Sequence, residues 1–111
     1  MLYFCIDMHR TIISEDGRYE WDEYKDRLNR KKQGFSFEEI LEIFDDPAFL
    51  EGFDAEHSAK EDRYYGIGCL NNLLYIIAFY TVRERIRIIS ARQADKDEQE
   101  AYNDYFKKIK S

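Results

Sequence analysis

A chain of 111 residues with 44% hydrophobic and 16% aromatic side chains has material for one core and not for two, so a single domain is expected. Its 36% charged residues carry both signs, which excludes the low-hydrophobicity, high-net-charge composition of a disordered chain. The net charge of -6 also excludes blanket adhesion to nucleic acid, because such binding draws on Lys and Arg releasing counterions from phosphates. Any site for a polyanion has to be local. The segment 62–92 meets that condition: Arg63, Arg83, Arg85, Arg87 and Arg92 stand against Asp62 and Glu84, a local sum of +3.

From the N-terminus, Leu2, Phe4, Ile6 and Met8 alternate with less apolar neighbours, consistent either with a strand or with a tail. The apolar patch Leu2 to Ile6 is too short for a signal-peptide core, and no export signal is expected. Thr11 to Ser14 and Arg18 to Trp21 flank Asp16-Gly17, a two-residue turn signal, and read as a β-hairpin. Asp22 caps a helix over about 22–33 with Trp21, Tyr24 and Leu28 on one face, and Gly34 supplies the left-handed residue that ends it. Ser36 and Glu39 form a capping box for a second helix, Phe35 staples onto Ile40, and the core stripe is Phe37, Ile40, Leu41 and Phe44. Pro47 disfavours helical geometry at Asp46, so this helix stops near Asp45.

Four strands follow, at about Ala48 to Asp54, Arg63 to Cys69, Leu73 to Thr81 and Arg85 to Ser90. Short polar links such as Asn71-Asn72 imply an antiparallel meander. The uncharged stretch Tyr64 to Val82 has membrane length, but two glycines and two asparagines interrupt it, so its dense part Leu73 to Tyr80 is expected as a central strand. Along Arg85-Ile86-Arg87-Ile88 the isoleucines face the core and the arginines face out. Asp95 and Glu98 make a second capping pair before Ala101, Tyr102, Tyr105, Phe106 and Ile109, an amphipathic C-terminal helix. The sum is an α+β domain. Cys5 and Cys69 are expected as free thiols in a cytoplasmic protein, since a chain with this much core needs no staple.

Residues 19 to about 106 resemble the BrnT family of bacterial type II toxins. The resemblance is carried by Tyr19-Glu20-Trp21-Asp22-Glu23, the Asn29 to Gly34 helix end, Ser36-Phe37-Glu38-Glu39, Phe44-Asp45-Asp46-Pro47, and Asp54 to Ser58 with Glu61, Arg63 and Ile67-Gly68. Its sharpest part is Arg87-Ile88-Ile89-Ser90-Ala91-Arg92 with Ala94, Glu98 and Tyr102. It implies a RelE-like fold, an antiparallel meander packed with an N-terminal helical hairpin and a C-terminal helix. It also makes 1–111 one domain, with 1–18 an N-terminal extension or extra hairpin. One departure matters for chemistry. Where the family usually has Lys-His-Gly, this chain has Lys32-Gln33-Gly34, so a mechanism resting on that imidazole does not operate here.

The resemblance further implies an endoribonuclease that halts translation and is neutralised by a BrnA-type DNA-binding antitoxin. Metal-free RNA cleavage needs a base for the ribose 2′-hydroxyl, a clamp for charge on phosphorus and an acid for the leaving oxygen. Arginine suits the clamp, because it is always charged and its planar fork matches phosphate oxygens. Arg63 and Arg92 lie in family motifs and are the candidates; a structural ion pair with Glu61 or Glu98 is the competing reading. His57 fits either proton role, imidazole titrating near neutrality; otherwise it is an exposed loop histidine held by carboxylates. Glu61 is the fallback base, weakened by its arginine neighbour. Arg87, Tyr80 and Thr81 are candidates for touching RNA or the antitoxin, against a plain role as sheet residues. His9, His57 and two isolated cysteines give no zinc spacing, and no Gly-rich phosphate loop precedes a helix, so neither metal nor cofactor is expected. Two rivals stand beside the nuclease: a catalytically inactive family member that binds only antitoxin, and an RNA-binding module without cleavage.

Overall fold

The computed structural model describes residues 9–110. Six strands build one sheet: β1 (Thr11–Ile13), β2 (Tyr19–Asp22), β3 (Leu50–Phe53), β4 (Tyr64–Leu70), β5 (Leu74–Val82) and β6 (Ile86–Gln93), in spatial order β1-β2-β6-β5-β4-β3. The strand considered for the first residues falls on 1–8, outside those described.

The run β3 to β6 is the antiparallel meander expected from its short links. At the β4–β5 turn, Asn71 and Asn72 both take positive φ, a conformation that asparagine tolerates better than most residues. The β1–β2 hairpin is also present, but its turn is wider than two residues, closing with Ser14 N–H on the Tyr19 carbonyl at 2.9 Å. Asp16 explains the width: its carboxylate accepts from the Ser14 hydroxyl at 2.7 Å and the Arg18 N–H at 3.1 Å. The hairpin then joins the meander by a parallel pairing of β2 with β6, Tyr19 opposite Ile86 and Trp21 opposite Ile88.

Helix α1 (Glu23–Gln33) starts at Asp22, whose carboxylate accepts the Lys25 N–H at 3.1 Å, and ends at Gly34 with φ 88°. Its predicted apolar face is corrected. Leu28 is 48% exposed, and α1 meets the body through polar groups instead: Asp26 accepts from Phe37 N–H at 2.8 Å and Asn29 from Ala91 N–H at 3.2 Å. The second helix is corrected as well. The capping box forms, with Glu39 N–H on Ser36 Oγ and Ser36 N–H on Glu39 Oε1, but residues Glu38–Asp45 wind as a 3₁₀ helix. The reason is visible in the spacing. Three residues per turn stack Phe37, Ile40 and Ile43 into one ridge, all fully buried, while Leu41 and Phe44 are only partly buried. Each such side chain contributes about 1.5–3 kcal/mol. Asp46 is extended before Pro47, as anticipated.

The ridge and α1 cover one sheet face over Tyr19, Trp21, Ile76, Ala78, Ile88 and Ala91. Helix α2 (Lys96–Lys110) covers part of the other, where Tyr102 packs with Ala48, Ile67, Ile77 and Ala94. Asp46 ties the two sides together, accepting from Tyr102 Oη at 2.6 Å, Cys69 N–H at 2.8 Å and Ala48 N–H at 2.8 Å. No helix among the described residues is long and apolar enough to cross a membrane.

Candidate nucleic-acid interface

The sheet face that α2 covers only in part carries the candidate residues, and a β-bulge makes this possible. Arg87 and Arg92 are five positions apart and would point to opposite sides of a regular strand. In β6, however, Ser90 pairs with Phe79 and Ile88 with Tyr80, leaving Ile89 as an extra residue. Arg87 therefore pairs with Thr81 and Arg92 with Ile77, four apart on β5, and both arginines rise from one face. Tyr65, paired with Phe79, lies on that face too, and Arg63 precedes it by two residues in line with Thr81. A trough runs along this face in three connected parts.

The middle part is a hollow of ≈ 430 Å³ lined by His57, Lys60, Glu61, Arg63 and Thr81. Thr81 is only 3% exposed, and its hydroxyl has no hydrogen-bond partner among the described residues. Leaving a buried hydroxyl unsatisfied costs about 1–3 kcal/mol, a cost that a polar group reaching it from the hollow would offset. Arg63 is half-buried, and its guanidinium makes no hydrogen bond or ion pair among the described residues. His57 ends a short 3₁₀ turn, Ala55–His57, and its Nδ1 lies 3.0 and 3.2 Å from the Asp54 oxygens. With the proton on Nδ1, that contact leaves Nε2 as the acceptor. Ser58 fastens this turn to Arg63: its hydroxyl donates to the Asp54 carbonyl at 2.6 Å and accepts the Arg63 N–H at 2.9 Å. Glu61 is engaged by Arg83 through two bonds of 2.9 and 3.0 Å, which hold its carboxyl below the usual range. The depression expected from an arginine neighbour is present, with Arg83 rather than Arg63 as its main cause.

One end of the trough, a cleft of ≈ 370 Å³, adds Arg83, Arg87, Lys25 and His9. Arg87 is held by Glu20 on the neighbouring strand and by the Thr11 hydroxyl at 3.4 Å. The other end lies against α2. There Arg92 forms two bonds with Glu98, at 2.7 and 2.8 Å, and its guanidinium sits over the Phe79 ring at 5.6 Å. Each partner shifts the other, the Glu98 carboxyl down and the Arg92 guanidinium up. Glu98 also closes the α2 capping box, exchanging 2.8 Å bonds with Asp95. The ion pair foreseen as the alternative for Arg92 is therefore formed, while Arg63 is left open.

Tyr80 is a correction. Alternation turns it away from Thr81 onto the core face, where it is 2% exposed and packs against Phe44 and Tyr64. Burial, followed by the nearby Glu51 carboxylate, pushes its phenol up. Sequence reasoning missed Lys60, Arg83 and Asp54 as neighbours of the hollow. Lys60 and Arg83 sit in polar links with nothing but charge to mark them; Asp54, three residues before His57, was the readable signal. Among the described residues no group of three or more His, Cys, Asp or Glu is placed to hold a metal ion.

One six-stranded mixed sheet, helical cover on both faces and a trough along one of them, cationic except at its α2 end, define the class as a small α+β domain with an anion-compatible groove. Residues 21–98 match the model of the ribonuclease toxin BrnT of type II toxin–antitoxin systems, and the chain belongs to that family. Among solved structures it is similar to the ribonuclease toxin BrnT of Brucella abortus, with 29% identity and a TM-score of 0.54 over 68% of this chain and 94% of that one. No curated protein matches.

Proposed function

We propose that this chain is an endoribonuclease whose reaction takes place in the middle hollow of the trough, without a metal ion. The observation that carries the reading is the meeting of an unengaged guanidinium, Arg63, with a buried unpaired hydroxyl, Thr81, and a carboxylate-oriented imidazole, His57, in a BrnT-family chain. Arg63 clamps the scissile phosphate with Thr81 donating to a non-bridging oxygen. Asp54 holds the His57 tautomer, and Nε2 removes the ribose 2′-hydroxyl proton. The 2′-oxygen attacks phosphorus, the P–O5′ bond breaks, and the departing 5′-oxygen takes a proton from the Lys60 ammonium, with the proton held on His57 released to solvent and Lys60 reprotonated from it. The products are a 2′,3′-cyclic phosphate and a free 5′-hydroxyl.

Arg87 extends the cationic track for the neighbouring phosphate. Arg92 serves as a positioning residue that fixes the first turn of α2 beside the hollow, and Glu61, neutralised by Arg83, holds its arginine in place and takes no proton. The physiological reading that goes with this is a RelE-like, cytoplasmic toxin that inhibits translation and is neutralised by a BrnA-type antitoxin.

A second reading has its own observation. Arg83, Arg87 and Arg92 are each already paired with a carboxylate in a chain of net charge -6, which suits a catalytically inactive member that binds only its antitoxin. Expression in bacteria without antitoxin separates the two. Growth arrest by the wild type, abolished by Arg63→Ala, is expected for the nuclease; a harmless wild type would favour the inactive member.

A further inference from the structure

The part of the trough nearest α2 differs in character from the cationic middle. It is a cleft of ≈ 430 Å³ whose floor is apolar and aromatic, from Tyr65, Ile67, Ile77 and Phe79, and whose rim is acidic. His57 belongs both to this cleft and to the middle hollow, so the two are continuous. Asp54 is engaged by His57 and Glu98 by Arg92, but Glu56 and Asp97 on the rim are exposed and hold no hydrogen bond or ion pair among the described residues. An apolar plate with unpaired acceptors at its edge, next to a phosphate-sized cationic hollow, is the chemistry that receives a splayed-out base.

We propose that this cleft binds the base of the nucleotide adjoining the scissile phosphate, and that the base it prefers is guanine. The inference rests on the nuclease reading for the phosphate that sits beside it.

Two arguments carry it. The first is spacing. Arg63 and Tyr65, like Thr81 and Phe79, are two residues apart on one strand face, about 7 Å at the usual rise per residue. A phosphate on Arg63 beside Thr81 therefore leaves its own base over Tyr65, next to the Phe79 ring that the Arg92 guanidinium covers. The second is hydrogen bonding. A lone carboxylate only accepts, and guanine is the base whose Watson–Crick edge offers two adjacent donors, N1–H and the N2 amine, to its two oxygens. Adenine and cytosine set one amine beside an acceptor, and uracil sets one N–H between two carbonyls, so each turns an acceptor against the rim.

The test uses nucleoside 3′-monophosphates and RNA in parallel. Titrating the purified full chain with 3′-GMP, 3′-AMP, 3′-CMP and 3′-UMP, followed by amide NMR, should give at least about tenfold tighter binding of 3′-GMP, with shifts at Tyr65, Phe79 and Asp97. End mapping of a cleaved mixed-sequence RNA should place guanine at one fixed position beside the cuts. Asp97→Asn combined with Glu56→Gln should bring 3′-GMP down to the level of the other three nucleotides, with the thermal melt of the variant reporting that it stays folded. Guanine-selective binding without cleavage would uphold the base site and sink the nuclease reading. Cleavage or nucleotide binding without base preference would sink the base site alone, and failure of all four nucleotides to bind would overturn it as well.

Discussion

Replacing Thr81 by valine sets stability against activity in opposite directions. Valine has the shape of threonine with a methyl in place of the hydroxyl, and position 81 is 3% exposed with Oγ1 unpartnered. The hydroxyl costs the folded state about 1–3 kcal/mol, and the added methyl contributes up to about 0.8 kcal/mol of apolar burial. Thr81→Val is therefore expected to stabilise the domain by about 1–3 kcal/mol. For a domain near this size each kcal/mol moves Tm by about 4 °C, so a rise of about 4–12 °C is expected in a thermal melt. The same change removes a donor to a charged phosphate oxygen, an interaction of about 1.5–3 kcal/mol, so cleavage should slow by about 10- to 100-fold. Both are measured on one preparation, by circular dichroism and by cleavage of a labelled RNA. A variant that melts lower than the wild type, or one that cuts RNA at the wild-type rate, would refute the idea that this hydroxyl is left for a ligand.

Asp46→Ala should be the most destabilising single change, because it strands the Ala48 and Cys69 N–H groups and the Tyr102 hydroxyl; about 3–5 kcal/mol is expected in urea unfolding. Gly68→Ala should cost about 1–3 kcal/mol by overpacking, since a Cβ there would meet Ile43 Cβ at 2.7 Å and its carbonyl oxygen at 2.9 Å; a loss below about 0.5 kcal/mol would mean that the 3₁₀ ridge shifts freely. Glu98 and Asp16 have folded pKa values below their ordinary 4.5 and 3.8, Asp16 at about 2, so the unfolded chain binds more protons in acid. Their stabilisation is complete above about pH 4.5 and is lost as pH falls through the folded values. Glu98→Gln should flatten that decline; an unchanged acid limb in pH-dependent unfolding would contradict it.

What could be read from the sequence was whatever local chemistry dictates. The Asp22 and Gly34 caps, the Ser36–Glu39 and Asp95–Glu98 boxes, the Pro47 stop and the meander links all act within a few residues, and all are formed. What could not be read depends on distant partners. The parallel pairing of β2 with β6 joins segments more than sixty positions apart and leaves no local trace. Helix α1 misled because its docking face is made of Asp26 and Asn29, polar residues satisfied by backbone N–H groups of other elements. In the site, alternation separated Thr81 from Tyr80, but the bulge at Ile89 cannot be counted from sequence, and it is the bulge that returns Arg92 to the face of Arg87. Arg92 and Glu98 were legible as a pair; that Glu98 is also the capping residue of α2, which commits it to structure, needed both contacts in view.

The most direct measurement is the cleavage of a short labelled RNA by purified protein in the presence of EDTA, comparing wild type with Arg63→Ala and His57→Ala. Cutting by the wild type to products ending in 2′,3′-cyclic phosphate, reduced at least about 100-fold by each substitution, is the predicted result. Wild-type cutting that Arg63→Ala leaves unchanged would contradict the account, because the chemistry would then lie outside the hollow that Arg63, Thr81 and His57 enclose.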